Sequence, residues 1–188
     1  MSGAQERKML ARSESLMRSD PVASAAVAIA LGGTAALLGA WFFQFVVGLP
    51  PCPLCLEQRI PYYVAIPLAA MVALGASVSS SRKVLAAALL FIAAIMIYNV
   101  YLGVYHAGVE WKWWAGPSGC AGAPAGLGSA GNLLESLQTS RVVRCDEAAW
   151  RFLGLSLAGY NALISLALAA IAAFGAATAL RRSTGADR

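Results

Sequence analysis

The sequence predicts an all-α integral membrane protein: a bundle of four transmembrane helices with both termini cytoplasmic and two periplasmic loops. Three observations carry this expectation. The chain of 188 residues is 59% hydrophobic and only 12% charged, about half the ~25% charged share of a soluble domain. Four stretches contain no Asp, Glu, Lys or Arg, and each supplies the roughly 20 apolar residues that a helix needs to cross a bilayer. The basic residues, finally, are unevenly placed between the stretches.

The first stretch lies between Asp20 and Glu57, with its apolar centre from Val22 to Val47. The others run from Ile60 to Ser81, from Val84 to Val109 and from Phe152 to Leu180. Four such segments cannot all be central helices of so short a soluble chain. The expected organisation is a cytoplasmic tail over residues 1–20, a membrane domain over 21–182 and a second tail over 183–188. Helices are expected at about 22–47, 60–80, 84–108 and 152–180, with loops at 48–59 and 109–151. The first apolar run is too long for a signal-peptide core and lacks a clear small-residue cleavage site, so it is expected to remain as an anchor.

Orientation follows from the positive charges. Arg7, Lys8, Arg12 and Arg18 precede the first helix, Arg82 and Lys83 fill the second connection, and Arg181, Arg182 and Arg188 follow the last helix. These nine of 14 Lys and Arg mark the cytoplasmic side. The net charge of +5 does not indicate nucleic acid, because the basic residues sit in tails and short loops and form no continuous basic face.

All four cysteines fall on the side assigned to the periplasm: Cys52 and Cys55 in the short loop, Cys120 and Cys145 in the long one. Disulfides persist on the oxidising side of a bacterial membrane. The long loop is rich in Gly and Pro from Gly116 to Gly131 and should be irregular there. Asn132 and Glu135 are spaced as a capping box, which predicts a short surface helix carrying Leu133, Leu134 and Leu137. Trp111, Trp113 and Trp114 read as an interfacial aromatic belt.

The sharpest local signal is Cys52-Pro53-Leu54-Cys55-Leu56-Glu57-Gln58-Arg59. Pro53 suits the first position of a helix and makes Cys52 its N-cap, with the sulfur facing the free N–H groups of Leu54 and Cys55. Such a helix start, together with a cation, stabilises a thiolate, and Arg59 follows Cys55 by four residues, on the same helix face. Redox, zinc and structural roles all remain open to a Cys-x-x-Cys pair. The wide spacing of Cys120 and Cys145 and the nearby Arg59 argue against zinc, so no metal is expected. A Cys-x-x-Cys bridge closes too small a loop to add much stability, which argues against a purely structural role. Asn99, Asn161 and Ser156 are expected to bond between helices. Neither Glu57 nor Gln58 receives a role.

The segment from Cys52 to Arg59, the later Tyr105-His106-Ala107-Gly108-Val109-Glu110, and Cys145-Asp146 followed by Trp150-Arg151-Phe152-Leu153-Gly154-Leu155-Ser156 together resemble the DsbB family. The members of that family are quinone-linked disulfide-generating proteins of the bacterial inner membrane. The resemblance covers nearly the whole chain after Asp20. It implies a membrane oxidoreductase that re-oxidises a periplasmic thioredoxin-like thiol oxidase of the DsbA kind and passes the electrons to a membrane quinone, ubiquinone in preference to menaquinone. It further implies that Cys52 and Cys55 form the quinone-proximal disulfide, and that Cys120 and Cys145 form a second disulfide attacked at Cys120. Arg59 matches the quinone-associated arginine, and His106 lies near the position of a quinone-proximal histidine. The charged N-terminal tail is longer than the family's. Two rivals are a four-helix scaffold with two structural disulfides and an enzyme resembling vitamin K epoxide reductases, whose Cys-x-x-Cys lies late in the core rather than before the second helix. A membrane disulfide reductase would need cysteines reachable from the cytoplasm, and none occurs here.

Overall fold

The four charge-free stretches fold as four long helices. The computed structural model describes residues 20–78, 80–117 and 144–186. Helix α1 spans Pro21–Phe45 and is followed by a short α2, Pro53–Glu57; α3 spans Ile60–Ser77, α4 spans Arg82–Glu110 and α5 spans Leu157–Ala186. Counting α2 and α3 as one crossing, all four segments are long and apolar enough to span a membrane. The expected short helix at Asn132 and the residue Cys120 lie outside the described residues.

The helices close into a ring. α4 packs most extensively on α5, α5 on α1, α1 on α3, and α3 on α4. The core of this ring is made by Val22, Ile29, Leu89, Ile92 and Met96, all wholly buried, among many alanines of α5. The alanines matter because association inside lipid depends on close backbone approach rather than on expulsion of water. Large apolar side chains on the outer face are left uncovered, among them Leu31, Phe45, Met71 and Val78, each at least 60% exposed. That pattern suits a lipid exterior.

At one end of the bundle Asp20 joins three helices. It caps α1 by accepting from the Val22 N–H at 3.1 Å, with Pro21 at the first helical position. The same carboxylate pairs with Arg82 at the start of α4, 2.7 Å away, and with Arg182 near the end of α5, 3.2 Å away. Positive charges from two separate parts of the sequence thus meet at one end, on Asp20.

The last helix begins at Leu157, five residues later than the expected 152. Arg151–Phe152 and Leu155–Ser156 instead pair as a two-residue antiparallel hairpin. Its turn places Leu153 at φ 49° and Gly154 at φ 85°, conformations that stop a right-handed helix. Its apolar side chains gave the hairpin the appearance of more helix. At the same end of the bundle, α4 terminates as Lys112 takes φ 62°. The chain then turns back so that the Trp114 indole N–H donates to the Tyr105 carbonyl at 2.8 Å.

Candidate functional site

Cys52 is the N-cap of α2, and its sulfur accepts from the Cys55 N–H at 3.2 Å. The geometry follows from the local sequence: Pro53 fixes the first helical φ and has no N–H of its own, and the cap sulfur bonds further along the first turn, at Cys55 rather than at Leu54. The Cys52 thiol in turn donates to the Cys55 sulfur, 2.8 Å away. Both cysteines are free thiols. A disulfide would need about 2.05 Å between the sulfurs, so the expected Cys52–Cys55 bridge is open and the pair is in its dithiol form. The hydrogen bond to Cys55, and then burial, push the Cys52 thiol above its ordinary range, so the shared proton stays on Cys52.

His106 of α4 meets the pair from the opposite wall, with Nε2 3.6 Å from the Cys52 sulfur. Its Nδ1 lies 2.8 Å from the Gln58 amide nitrogen. Gln58 accepts from the Asn161 amide at 2.7 Å, and Asn161 accepts from the Tyr62 hydroxyl at 2.7 Å. Tyr62 also meets Ser165 at 3.1 Å, and Ser165 accepts from Asn99 at 2.9 Å. A polar chain therefore runs from the sulfurs into the bundle through α3, α4 and α5. Buried polar groups of this kind must be paired to be tolerated in an apolar interior. Gln58, to which the sequence reading gave no role, is its central link. Nothing in the sequence couples Gln58 to Asn161, which is 103 residues away. Glu110 is also brought in, one helical turn after His106, with Oε1 3.8 Å from Nε2.

Cys145 belongs to the same site. It is wholly buried in a small apolar cluster with Cys52 and Leu54, against which Cys55 and Tyr105 pack. It is disulfide-bonded. The segment beside it is held down by Asp146, which accepts from Arg144 at 2.8 Å and from Lys112 at 2.5 Å. Arg144 first and Lys112 second keep that carboxyl below the ordinary carboxylate range.

On its other side the dithiol borders a cavity of about 690 Å³, within the ~300–1,000 Å³ typical of small-molecule sites. Its walls come from α1, α3 and α5, and Trp150 and Phe152 help to close it. Most of the lining is apolar, with Ala36, Leu37, Ala40 and Phe43 on α1 and Leu157 and Ile164 on α5. The polar groups gather at one end, where Cys55, Gln58, Arg59, His106 and Asn161 reach the wall. Arg59 is 9% exposed, and its guanidinium donates to the Gln44 side chain at 2.6 Å. Cys55 lines the cavity and Cys52 does not; Cys52 instead packs against Cys145. The two sulfurs of one pair thus face different neighbours.

Cys52, Cys55 and His106 are the one trio among the described residues whose ligand atoms lie within 4.8 Å of one another. The two sulfurs are about 1 Å closer than the ~3.7 Å edge that Zn–S bonds of about 2.3 Å impose in a tetrahedron. The pair is spaced for sulfur–sulfur chemistry rather than for chelation.

Comparison with known proteins gives the same direction. The family model described as disulfide bond formation protein DsbB matches residues 23–175. The chain is similar to a disulfide bond formation protein B of Polaromonas sp. (strain JS666), 26% identical over 155 residues that cover 76% of this chain and 83% of the relative. A second protein of that name, from Polaromonas naphthalenivorans, is 26% identical over 71% of this chain and 78% of its own length. An uncharacterized protein of Rickettsia prowazekii is 27% identical over 71% of this chain and 75% of its own. No solved structure matches significantly.

Proposed function

From the premise that this chain belongs to the DsbB family of disulfide bond formation proteins, we propose that it oxidises a periplasmic thioredoxin-like dithiol protein of the DsbA kind and delivers the electrons to a membrane quinone. Family membership makes the chain a disulfide-generating oxidoreductase of the membrane; the partner, the acceptor and the sidedness are the proposal. The observation that carries it is the division of the dithiol, with Cys52 beside the disulfide-bonded Cys145 and Cys55 at the wall of an apolar cavity.

The cavity suits a quinone by the chemistry of its lining. The apolar lining suits an isoprenoid tail and a flat ring, while Arg59, His106 and Gln58 offer donors to carbonyl oxygens. Bound there, a quinone supplies a two-electron, two-proton acceptor. The chain's own groups do the rest. The Cys52 thiol, which donates to the Cys55 sulfur, and the Arg59 cation at the same cavity wall favour negative charge on Cys55. Cys52 holds the shared proton, and His106 Nε2 stands 3.6 Å from the Cys52 sulfur. Ubiquinone is the quinone proposed, in preference to menaquinone.

On the outward side, Cys120 is proposed as the disulfide partner of Cys145 and as the sulfur that the partner protein attacks. Loss of Cys120 to that mixed disulfide frees the Cys145 thiolate next to Cys52, where it can exchange with the Cys52–Cys55 bridge of the oxidised state. The basic residues clustered with Asp20 support assigning that end to the cytoplasm, and with it the cysteines to the periplasmic side of the inner membrane.

The test is a trapping experiment. Cys145→Ala removes the resolving sulfur and leaves Cys120 a free thiol, so Cys120 attacks the disulfide of the oxidised partner and holds it as a covalent complex on a non-reducing gel, and Cys120→Ala abolishes it. A complex that survives loss of Cys120 and vanishes without Cys55 reverses the proposed order. Arg59→Ala tests the cavity: the apparent KM for quinone rises about tenfold, the worth of one charge-assisted hydrogen bond, while the protein accumulates normally. A fall in abundance alone makes Arg59 structural.

A further inference from the structure

Glu110 is a buried carboxylate that the proposed relay does not use. Its side chain is 6% exposed, Oε1 lies 3.8 Å from His106 Nε2, and Oε2 is buried without a hydrogen-bond partner. A half-satisfied carboxyl in a membrane protein is costly and points to function. The same ring nitrogen that faces Glu110 also faces the Cys52 sulfur, at 3.6 Å. Around them stand Cys52 and Cys55 from α2, Ser156 and Arg151 from the hairpin, and Arg59 at the cavity wall.

We propose that Glu110 is a positioning residue whose negative charge lets His106 take up the proton of Cys52 when the dithiol closes. The inference rests on the quinone reading above. In the balanced step Cys52 and Cys55 lose two S–H hydrogens and gain one S–S bond, and two electrons and two protons go to the quinone. Cys52 cannot close on Cys55 while it keeps its proton. While Nδ1 accepts from the Gln58 amide, the neutral ring carries its proton on Nε2; once that amide turns its oxygen to Nδ1 the proton sits on Nδ1, Nε2 is the nearest base, and the imidazolium formed there has Glu110 beside it. The Gln58 amide can turn its oxygen to Nδ1 if Asn161 turns with it, so both ring N–H groups are then held. His106 also lines the cavity, so the proton it receives from sulfur is already at the quinone's side.

The chain contains a single histidine, which makes the test direct. The full chain, labelled with ¹⁵N-histidine, is placed in lipid nanodiscs in the reduced state. Without quinone, the protonated fraction of the ring at a fixed pH falls in the order wild type, Glu110→Asp, Glu110→Gln. With a short-chain ubiquinone, kcat falls in the same order, on the order of tenfold for Glu110→Gln, below the ~10²–10⁴ of a full general base, and KM stays unchanged. An unchanged ring spectrum in Glu110→Gln overturns the inference, as does a rise in KM with kcat intact, which makes Glu110 part of the cavity wall. If Glu110→Gln fails to accumulate, Glu110→Asp decides: wild-type values in both readouts overturn it. If wild-type protein reduces no quinone, the quinone reading has failed, and the order of the ring spectra alone settles whether Glu110 charges His106.

Discussion

Cys55→Ala is expected to abolish quinone reduction, by more than about 10³-fold, while partner capture through Cys120 persists. Loss of a nucleophile that acts as a unit with its neighbours removes most of the rate, not a share of it. The expectation rests on the position of Cys55 at the cavity wall and of Cys52 away from it. The measurement is quinone absorbance with purified protein, set beside a non-reducing gel of the same preparation. Loss of both functions would mean that the two cysteine pairs are not sequential stations.

The second large effect concerns folding. At Gly103 of α4, an added Cβ would lie 2.9 Å from the Ala162 Cβ and 3.1 Å from the Ala158 carbonyl oxygen of α5. Backbone cannot step aside as a side-chain tip can. Gly103→Leu is expected to force α4 from α5 at a cost of about 1–3 kcal/mol or more, lowering yield and thermal midpoint and displacing His106 one turn away. Gly39 of α1 is the contrast, since a Cβ there meets nothing within 4 Å and the residue lines the cavity. Gly39→Leu should leave stability within about 0.5 kcal/mol of wild type and raise the KM for quinone. Thermal melts and initial rates on both variants check the pair; equal melts would refute the packing argument, and an unchanged KM would place the quinone elsewhere.

Much of the fold was legible because a bilayer imposes one simple demand. A segment with no charge over some 20 residues has few alternatives to a spanning helix, and the four stretches show this directly. The helix start at Cys52 was legible for an equally local reason, the Pro53 that follows it. The hairpin at Arg151–Ser156 was not, because Phe152, Leu153 and Leu155 carry the same apolar signal as the helix behind them; its turn depends on the positive φ of Leu153 and Gly154. The polar chain through Gln58, Asn161 and Tyr62 was legible only as scattered polar residues, since their pairing is set by tertiary packing. Glu110 left one usable trace, its four-residue spacing from His106, which places both on one helix face.

The central claim is that electrons pass from a dithiol protein, through these cysteines, to a quinone. The most direct measurement adds a reduced thioredoxin-like periplasmic protein to the full chain in quinone-loaded nanodiscs and follows thiols and quinone together. One quinone is expected to be reduced for each dithiol oxidised, and none when either Cys145 or Cys55 is replaced. Oxidation of the dithiol protein with the quinone unchanged, or quinone loss without Cys55, would contradict the claim.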